Sequence, residues 1–333
     1  MPTISDVAAR AGVSTATVSR ALNGKATVDP ALAARVQQAA TELGYQPNGP
    51  ARNLRRQEAA VVALIISDVE NPFFTAIARG VEDVAHEVGY SVVLCNSDES
   101  AEKENRYIDI AIQERVAGVI LSPSGPAAGV AKLAARGTAY VAVDRPLPDY
   151  ASDVVLVDTR LAAAQATAHL VAQGYQRIGC LSGPTGVRTA DDRVAGYRDA
   201  LRAAKHRARL VRRTEYKAAG AHLAALDLLS QPQPPDALLV ANNAMAVGVL
   251  QALQELGRRP GRDVGVVAFD DAPWAELLDP PLTVVAQPAY EIGTEAARLL
   301  LARIADNTRP PTVTTLGARL IERASSHRSK DRT

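Results

Sequence analysis

Short apolar runs of strand length recur through most of this chain, each followed by a helical stretch, and no other feature constrains the fold as strongly. Val61–Ile66, Ser91–Leu94, Gly118–Leu121 and Ala139–Val143 form a first series, with Phe73–Val88 and Ala101–Arg115 among the stretches between them. Arg177–Leu181, Ala237–Ala241 and Val264–Phe269 form a second series, separated by Ala190–Ala204 and Ala244–Leu256. Strand–helix alternation of this kind builds parallel sheet covered by helices on both faces. Two series predict two similar α/β lobes, and 333 residues leave room for a further small domain.

Open α/β sheets bind ligands beyond the carboxyl ends of their strands. Asn71, Ser122, Asp144 with Arg145, Asn242 and Asp270 fall at such ends. Asp and Asn accept from hydroxyls and Arg donates, a set that suits a polyol or sugar. Aromatic residues make up only 4% of the chain, so Phe73, Phe74, Tyr216 and Trp274 at loop positions stand out. An aromatic face can cover a sugar ring or stack on a base. Taken singly, each polar residue also reads as a turn or helix cap, and Phe73-Phe74 as the packed start of a helix.

The net charge of +1 hides an asymmetry. Residues 1–57 carry seven cations and three anions, or +4, so the remainder sums to −3. A basic head on a mildly acidic body points to a polyanionic partner. Three short helices can be read in that head from their caps. Thr3-x-x-Asp6 resembles a capping box, and Gly12 supplies a stop. Ser14 can cap a second helix from Thr15 to about Leu22, closed by Asn23-Gly24. Asp29-Pro30 opens a third that Gly44 ends. The tight Gly12-Val13 turn has helix-turn-helix spacing, with Val7, Val13, Val18 and Leu22 as a shared core. Thr15, Ala16, Thr17, Ser19 and Arg20 then lie largely on the outer side of the second helix. Hydroxyls, a methyl and an Arg suit a DNA major groove, although any short helical hairpin with a polar surface would show the same spacing.

Asp6-Val7-Ala8, Ala11-Gly12-Val13-Ser14, Thr17-Val18-Ser19-Arg20 and Glu42-Leu43-Gly44-Tyr45-x-Pro47-Asn48 resemble the LacI/GalR family of transcription regulators, and the resemblance runs essentially the whole chain. It implies an all-α helix-turn-helix domain at 1–47, a hinge at 48–58 and an effector core at 59–333. The core would be α/β, two-lobed and like a periplasmic binding protein, with doubly wound parallel sheets joined by three chain crossings. The N-lobe would comprise about 59–159 and 288–317, and the C-lobe about 160–287 and 318–330. The resemblance further implies a homodimer on palindromic double-stranded operator DNA. Asn23, Tyr45, Asn48, Arg52, Asn53 and Arg55 would join the recognition helix in holding that DNA, while Leu54 would wedge into the minor groove. An apolar wedge flanked by Arg52 and Arg55 is what kinking a minor groove requires. Gly49-Pro50 departs from the family here, and Gly49 should raise the cost of ordering a hinge helix by roughly 0.5–1 kcal/mol relative to Ala.

In the core, Asn71-Pro72-Phe73-Phe74, Val143-Asp144-Arg145-Pro146, Thr189-Ala190-x-x-Arg193 and Phe269-Asp270-Asp271 match family motifs that line the effector cleft. Tyr216 sits where some relatives place a stacking aromatic. Asn243 departs from the Asp that commonly follows Asn242. The resemblance therefore implies a ligand-responsive repressor of sugar uptake or catabolism, with a purine or nucleoside effector as the alternative.

Enzyme chemistry is not expected. No Gly-x4-Gly-Lys-Ser/Thr loop, Gly-x-Gly-x-x-Gly or Gly-x-Ser-x-Gly elbow occurs, and the five His residues show no metal-ligand spacing, so neither cofactor nor metal is expected. A two-lobed sugar-binding protein or α/β enzyme with an incidental helical head is the remote alternative. The longest apolar run, Ala59–Ile66, falls far short of the ~20 residues needed to span a bilayer. Cys95 and Cys180 are too few for a disulfide framework, and no secretion-type basic and apolar start is present, so a cytoplasmic protein with no membrane partner is expected. The basic run from Arg319 to Arg332 reads as a solvated, frayed tail.

Overall fold

A computed structural model describes residues 2–22, 28–45, 59–125, 128–147, 150–206 and 210–328. The chain forms two compact units, Met1–Ala60 and Val61–Thr333.

The first unit contains α1 (Ile4–Ala11), α2 (Thr15–Leu22) and α3 (Pro30–Glu42). The Thr3–Asp6 capping box forms in both directions, and Gly12 takes the left-handed conformation at φ 65° that lets the chain turn. Ser14 Oγ accepts from Thr17 N, and Asp29 caps α3 through Ala31 N and Leu32 N. Val7, Ala8, Ala11, Val18, Val36, Ala39 and Ala40 form the core, so α3 contributes about as much of it as the first two helices. Val13 and Leu22 pack at its edge. Asn23, Asn48, Arg52, Asn53, Leu54 and Arg55, with the Gly49-Pro50 departure, lie outside the described residues.

The second unit starts with β1 (Ala59–Ile66), α4 (Pro72–Glu87), β2 (Ser91–Asn96), α5 (Ala101–Gln113), β3 (Val116–Leu121), α6 (Ala128–Arg136), β4 (Ala139–Val143) and β5 (Asp153–Val157). It continues with α7 (Thr159–Ala172), β6 (Ile178–Ser182), α8 (Arg188–Ala203), β7 (Leu210–Arg213), α9 (Ala218–Leu229), β8 (Ala237–Val240), α10 (Asn243–Glu255), β9 (Gly265–Phe269) and β10 (Thr283–Ala286). α11 (Ala289–Ala305), β11 (Val313–Leu316) and β12 (Arg319–Ile321) complete it. Two six-stranded sheets result, ordered β11-β5-β4-β3-β1-β2 and β12-β10-β9-β8-β6-β7. The chain passes between them after β5, β10 and β11. Successive residues of β1 feed opposite cores: Val62, Leu64 and Ile66 face the α4–α11 side, Ala63 and Ile65 the α5–α6 side.

The α4–α11 pair packs backbone against backbone. A Cβ on Gly80 would lie 2.2 Å from Tyr290 O, and one on Gly293 would lie 2.1 Å from Ile77 O. Only hydrogen fits at either position.

The sheets are parallel as expected apart from β12, which runs antiparallel to β10 at the edge of the second. One expectation needs correction. The C-terminal run is not a frayed tail as far as residue 328. Ser325 and Ser326 are fully buried, Ser325 Oγ donates to Val266 O at 2.7 Å, and Arg328 stacks 5.4 Å above the Tyr175 ring. The Ser325 hydroxyl serves strand backbone, accepting from Thr283 N and donating to Val266 O, while Ser326 Oγ meets Thr283 Oγ1 and His169 Nε2.

Candidate functional site

The carboxyl ends of both sheets face one cavity of about 470 Å³. Two carboxylates define its floor, Asp144 directly after β4 and Asp270 directly after β9. Both take left-handed backbone, φ 65° and 72°. Such φ values are uncommon outside glycine, and short polar side chains tolerate them best. Each amide donates to the neighbouring strand, Asp144 N to Val155 O and Asp270 N to Val285 O, both at 3.0 Å. The turn therefore fixes the carboxylate while the ladder holds the turn.

Arg193 on α8 reaches the same floor. Its guanidinium lies 4.5 Å over the Phe269 ring, and Nη1 is 3.4 Å from Tyr216 Oη. Gln287, in the crossing after β10, donates through Nε2 to Asp270 Oδ1 at 2.7 Å. Burial raises Asp144 above the ordinary carboxylate range, with Arg145 and Arg193 opposing. Burial likewise pushes Asp270 up to about 6, with Arg193 and Gln287 opposing and Asp144 adding to it.

Arg145 forms the wall. Its Nη1 and Nη2 each donate to Glu99 at 2.7 Å, and Nη1 also reaches Pro123 O. Burial opposes its charge, but the Glu99 bonds and the nearby Asp144 hold it protonated, above its ordinary value. Its Nε lies 3.3 Å from Asp144 Oδ2 yet lacks hydrogen-bond geometry, so Coulomb attraction acts there without a bond. Arg145 Nε, Arg193 Nε and Gln287 Oε1 are buried without a hydrogen-bond partner. Two donors and one acceptor on residues that line the cleft are thus left unsatisfied, a pattern that native interiors avoid unless water or a ligand completes it.

Aromatic residues supply the apolar part. Phe73 and Phe74 pack edge to face with centroids 5.1 Å apart, buried in the N-lobe core yet lining the cavity. The phenol end of Tyr216 packs against Gly183, where a Cβ would lie 2.2 Å from Cζ. Thr189, in the first turn of α8, completes that side.

At the mouth the lobes touch. Asn71 caps α4 by accepting from Phe73 N at 2.9 Å, and Asn242 caps α10 by accepting from Met245 N at 2.8 Å. Lys217 Nζ bridges to Asp68 Oδ2 at 3.0 Å and Asp98 Oδ1 at 3.2 Å.

Asn71, Phe73, Phe74, Asp144, Arg145, Thr189, Arg193, Tyr216, Asn242 and Asp270 thus come together. Ser122 and Trp274 do not, and both expectations are corrected. Ser122 is fully buried and accepts from Ser67 Oγ at 3.1 Å. Trp274 packs against the C-lobe core at a 3-10 turn, because the chain leaves Asp270 away from the cleft. The residue-level reading of the cleft missed Gln287, Glu99, Glu215 and Lys217. Gln287 carried a usable signal, since it follows a strand end as Asp144 and Asp270 do.

In the head, Thr15, Ala16 and Arg20 are exposed on α2, with Thr17 and Ser19 half-buried beside them. Tyr45 is half-buried and packs against the head core. Among the described residues no group of three or more His, Cys, Asp or Glu could hold a metal, and no helix is long and apolar enough to cross a membrane.

Known proteins match on both units. Residues 3–48 match the family "Bacterial regulatory proteins, lacI family", and residues 167–326 match the "Periplasmic binding protein-like domain". The ribose operon repressor of Halalkalibacterium halodurans is 38% identical over 305 residues, 91% of each chain. That of Escherichia coli K12 is 35% identical over 337 residues, covering 98% of this chain and all of its own. Among solved structures, the lac repressor dimer bound to operator and the anti-inducer ONPF superposes with a TM-score of 0.87 at 26% identity, covering 98% of this chain and 99% of its own. A helical head with helix-turn-helix spacing, a two-sheet core around a polar cleft and this identity over nearly the whole length agree: the chain belongs to the LacI family of DNA-binding transcription repressors and is not an enzyme.

Proposed function

We propose that this repressor controls an operon for sugar uptake or catabolism, and that a neutral sugar, ribose first, occupies the cleft as its effector. The similarity to two ribose operon repressors supports the sugar. The observation that carries the reading is the set of three buried, unpartnered polar atoms, Arg145 Nε, Arg193 Nε and Gln287 Oε1, around two buried carboxylates. A sugar brings hydroxyls that both donate and accept, and each must be satisfied once water is excluded. Phe73, Phe74 and Tyr216 cover its apolar face.

On the DNA side, Thr15, Ala16, Thr17, Ser19 and Arg20 enter the major groove, and two copies of the chain read the two halves of a palindromic operator. The repressor acts in the cytoplasm, where that DNA is. An effector that binds one arrangement of the lobes better than another shifts the population toward it, and operator affinity follows.

Calorimetric titration of the full chain with ribose, other pentoses, hexoses and nucleosides tests the effector. Ribose is expected to bind most tightly and to raise the melting temperature. A nucleoside that outcompetes ribose would transfer the site to that class.

A further inference from the structure

The lining of the cleft carries more acidic than basic side chains. Asp68, Asp98, Glu99, Asp144, Glu215 and Asp270 supply six carboxyls, against three cations, Arg145, Arg193 and Lys217. Each cation already has a carboxylate or ring partner, although Arg145 Nε and Arg193 Nε each keep a donor without a hydrogen bond. Arg145 is committed to Glu99 through two 2.7 Å bonds. Arg193 lies on the Phe269 ring, where both floor carboxylates feel its charge. Lys217 is held by Asp68 and Asp98.

The ordinary anion site in such a fold is a helix N-terminus. Two that open on the cleft are closed by their own caps, Asn71 on α4 and Asn242 on α10. The first turn of α8 carries Asp191, which itself accepts from Gly186 N at 3.1 Å. α9, like α8, has no side-chain cap, and its N-cap is Lys217. A phosphate placed there would meet an ammonium beside uncapped helix amides. The carboxylates of Asp68 and Asp98, from the other lobe, hold that ammonium instead.

We propose that the cleft selects neutral sugars against their phosphate esters, with Asp68 and Asp98 keeping Lys217 out of a phosphate's reach. This rests on the reading of the cleft as a sugar site and names its ligand class.

The test titrates the full chain with matched pairs: ribose and ribose 5-phosphate, glucose and glucose 6-phosphate, adenosine and its 5′-monophosphate. In the pair whose neutral member binds, the ester is expected to bind about a hundredfold more weakly, from unpaired like charge in a desolvated site. Asp98→Asn should shrink that ratio about tenfold by releasing one of the two partners of Lys217, and Asp98→Asn with Lys217→Gln should restore it. An ester that binds as tightly as its parent sugar, or a ratio that Asp98→Asn leaves unchanged, overturns the inference while the sugar site stands. Silence from every neutral member overturns the sugar site and this inference with it.

Discussion

Asn243 of the C-lobe donates its Nδ2 to Asn71 Oδ1 of the N-lobe at 2.9 Å, with both side chains buried. That oxygen also accepts from Phe73 N, so it can serve only as an acceptor. The contact explains the Asn at a position where an Asp is common in the family: the helix cap of α10 comes from Asn242, which leaves position 243 to donate across the cleft.

Asn243→Asp should therefore bring two acceptors together. Leaving them unpaired and buried is expected to cost about 1–3 kcal/mol, read as a lower midpoint of thermal unfolding. Unchanged stability and effector affinity would show that the lobes do not depend on this bond.

Asp270 should make effector binding depend on pH. The folded chain holds its proton more tightly than the unfolded chain, about 6 against 3.8, so its contribution to stability declines as pH rises from about 4 to about 6 and is constant above. A sugar hydroxyl donates to the ionised carboxylate, so effector affinity should fall as pH drops below about 6. Titrations in Asp270→Asn are expected to show weaker binding and a flatter profile across that window. An equally steep profile in the variant would assign the proton to another group.

Arg20 is exposed on α2 and should read a base. Arg20→Ala is expected to weaken binding to the cognate operator by about 1–3 kcal/mol and to random DNA much less. Equal losses on both, measured by fluorescence anisotropy, would make Arg20 a phosphate contact.

Gly80→Ala should damage the α4–α11 crossing, since the new methyl would lie 2.2 Å from Tyr290 O. Forced separation of two packed helices is expected to destabilise the core by about 1–3 kcal/mol or more in denaturant unfolding. A variant as stable as the parent would show that α11 shifts freely.

Local chemistry made much of this legible. The Thr3–Asp6 box, the Asp29-Pro30 start and the Gly12 turn are each decided within a few residues, and each forms as the side chains dictate. Asp144 and Asp270 were visible because strand ends carry the ligands in this class of sheet. Gln287 was not singled out, because its partner is set by β10 lying beside β9, with Val285 opposite Phe269, a pairing no short window contains. Lys217 reads as a surface lysine until the other lobe supplies Asp68 and Asp98, 149 and 119 residues away in the chain. Trp274 misled for the converse reason. Closeness to Asp270 in sequence did not survive the turn between them, which sends the indole to the C-lobe core. Trp274→Phe is accordingly expected to leave effector affinity within about twofold, since one aromatic replaces another outside the cavity.

The most direct measurement is operator affinity with and without saturating ribose, by fluorescence anisotropy, for the parent chain and for Arg193→Ala. Ribose is expected to change the parent's operator Kd by tenfold or more, a coupling of at least about 1.4 kcal/mol. The variant is expected to bind operator like the parent without ribose and to ignore the sugar. A variant that still responds to ribose as the parent does would contradict an effector held at Arg193 between Asp144 and Asp270.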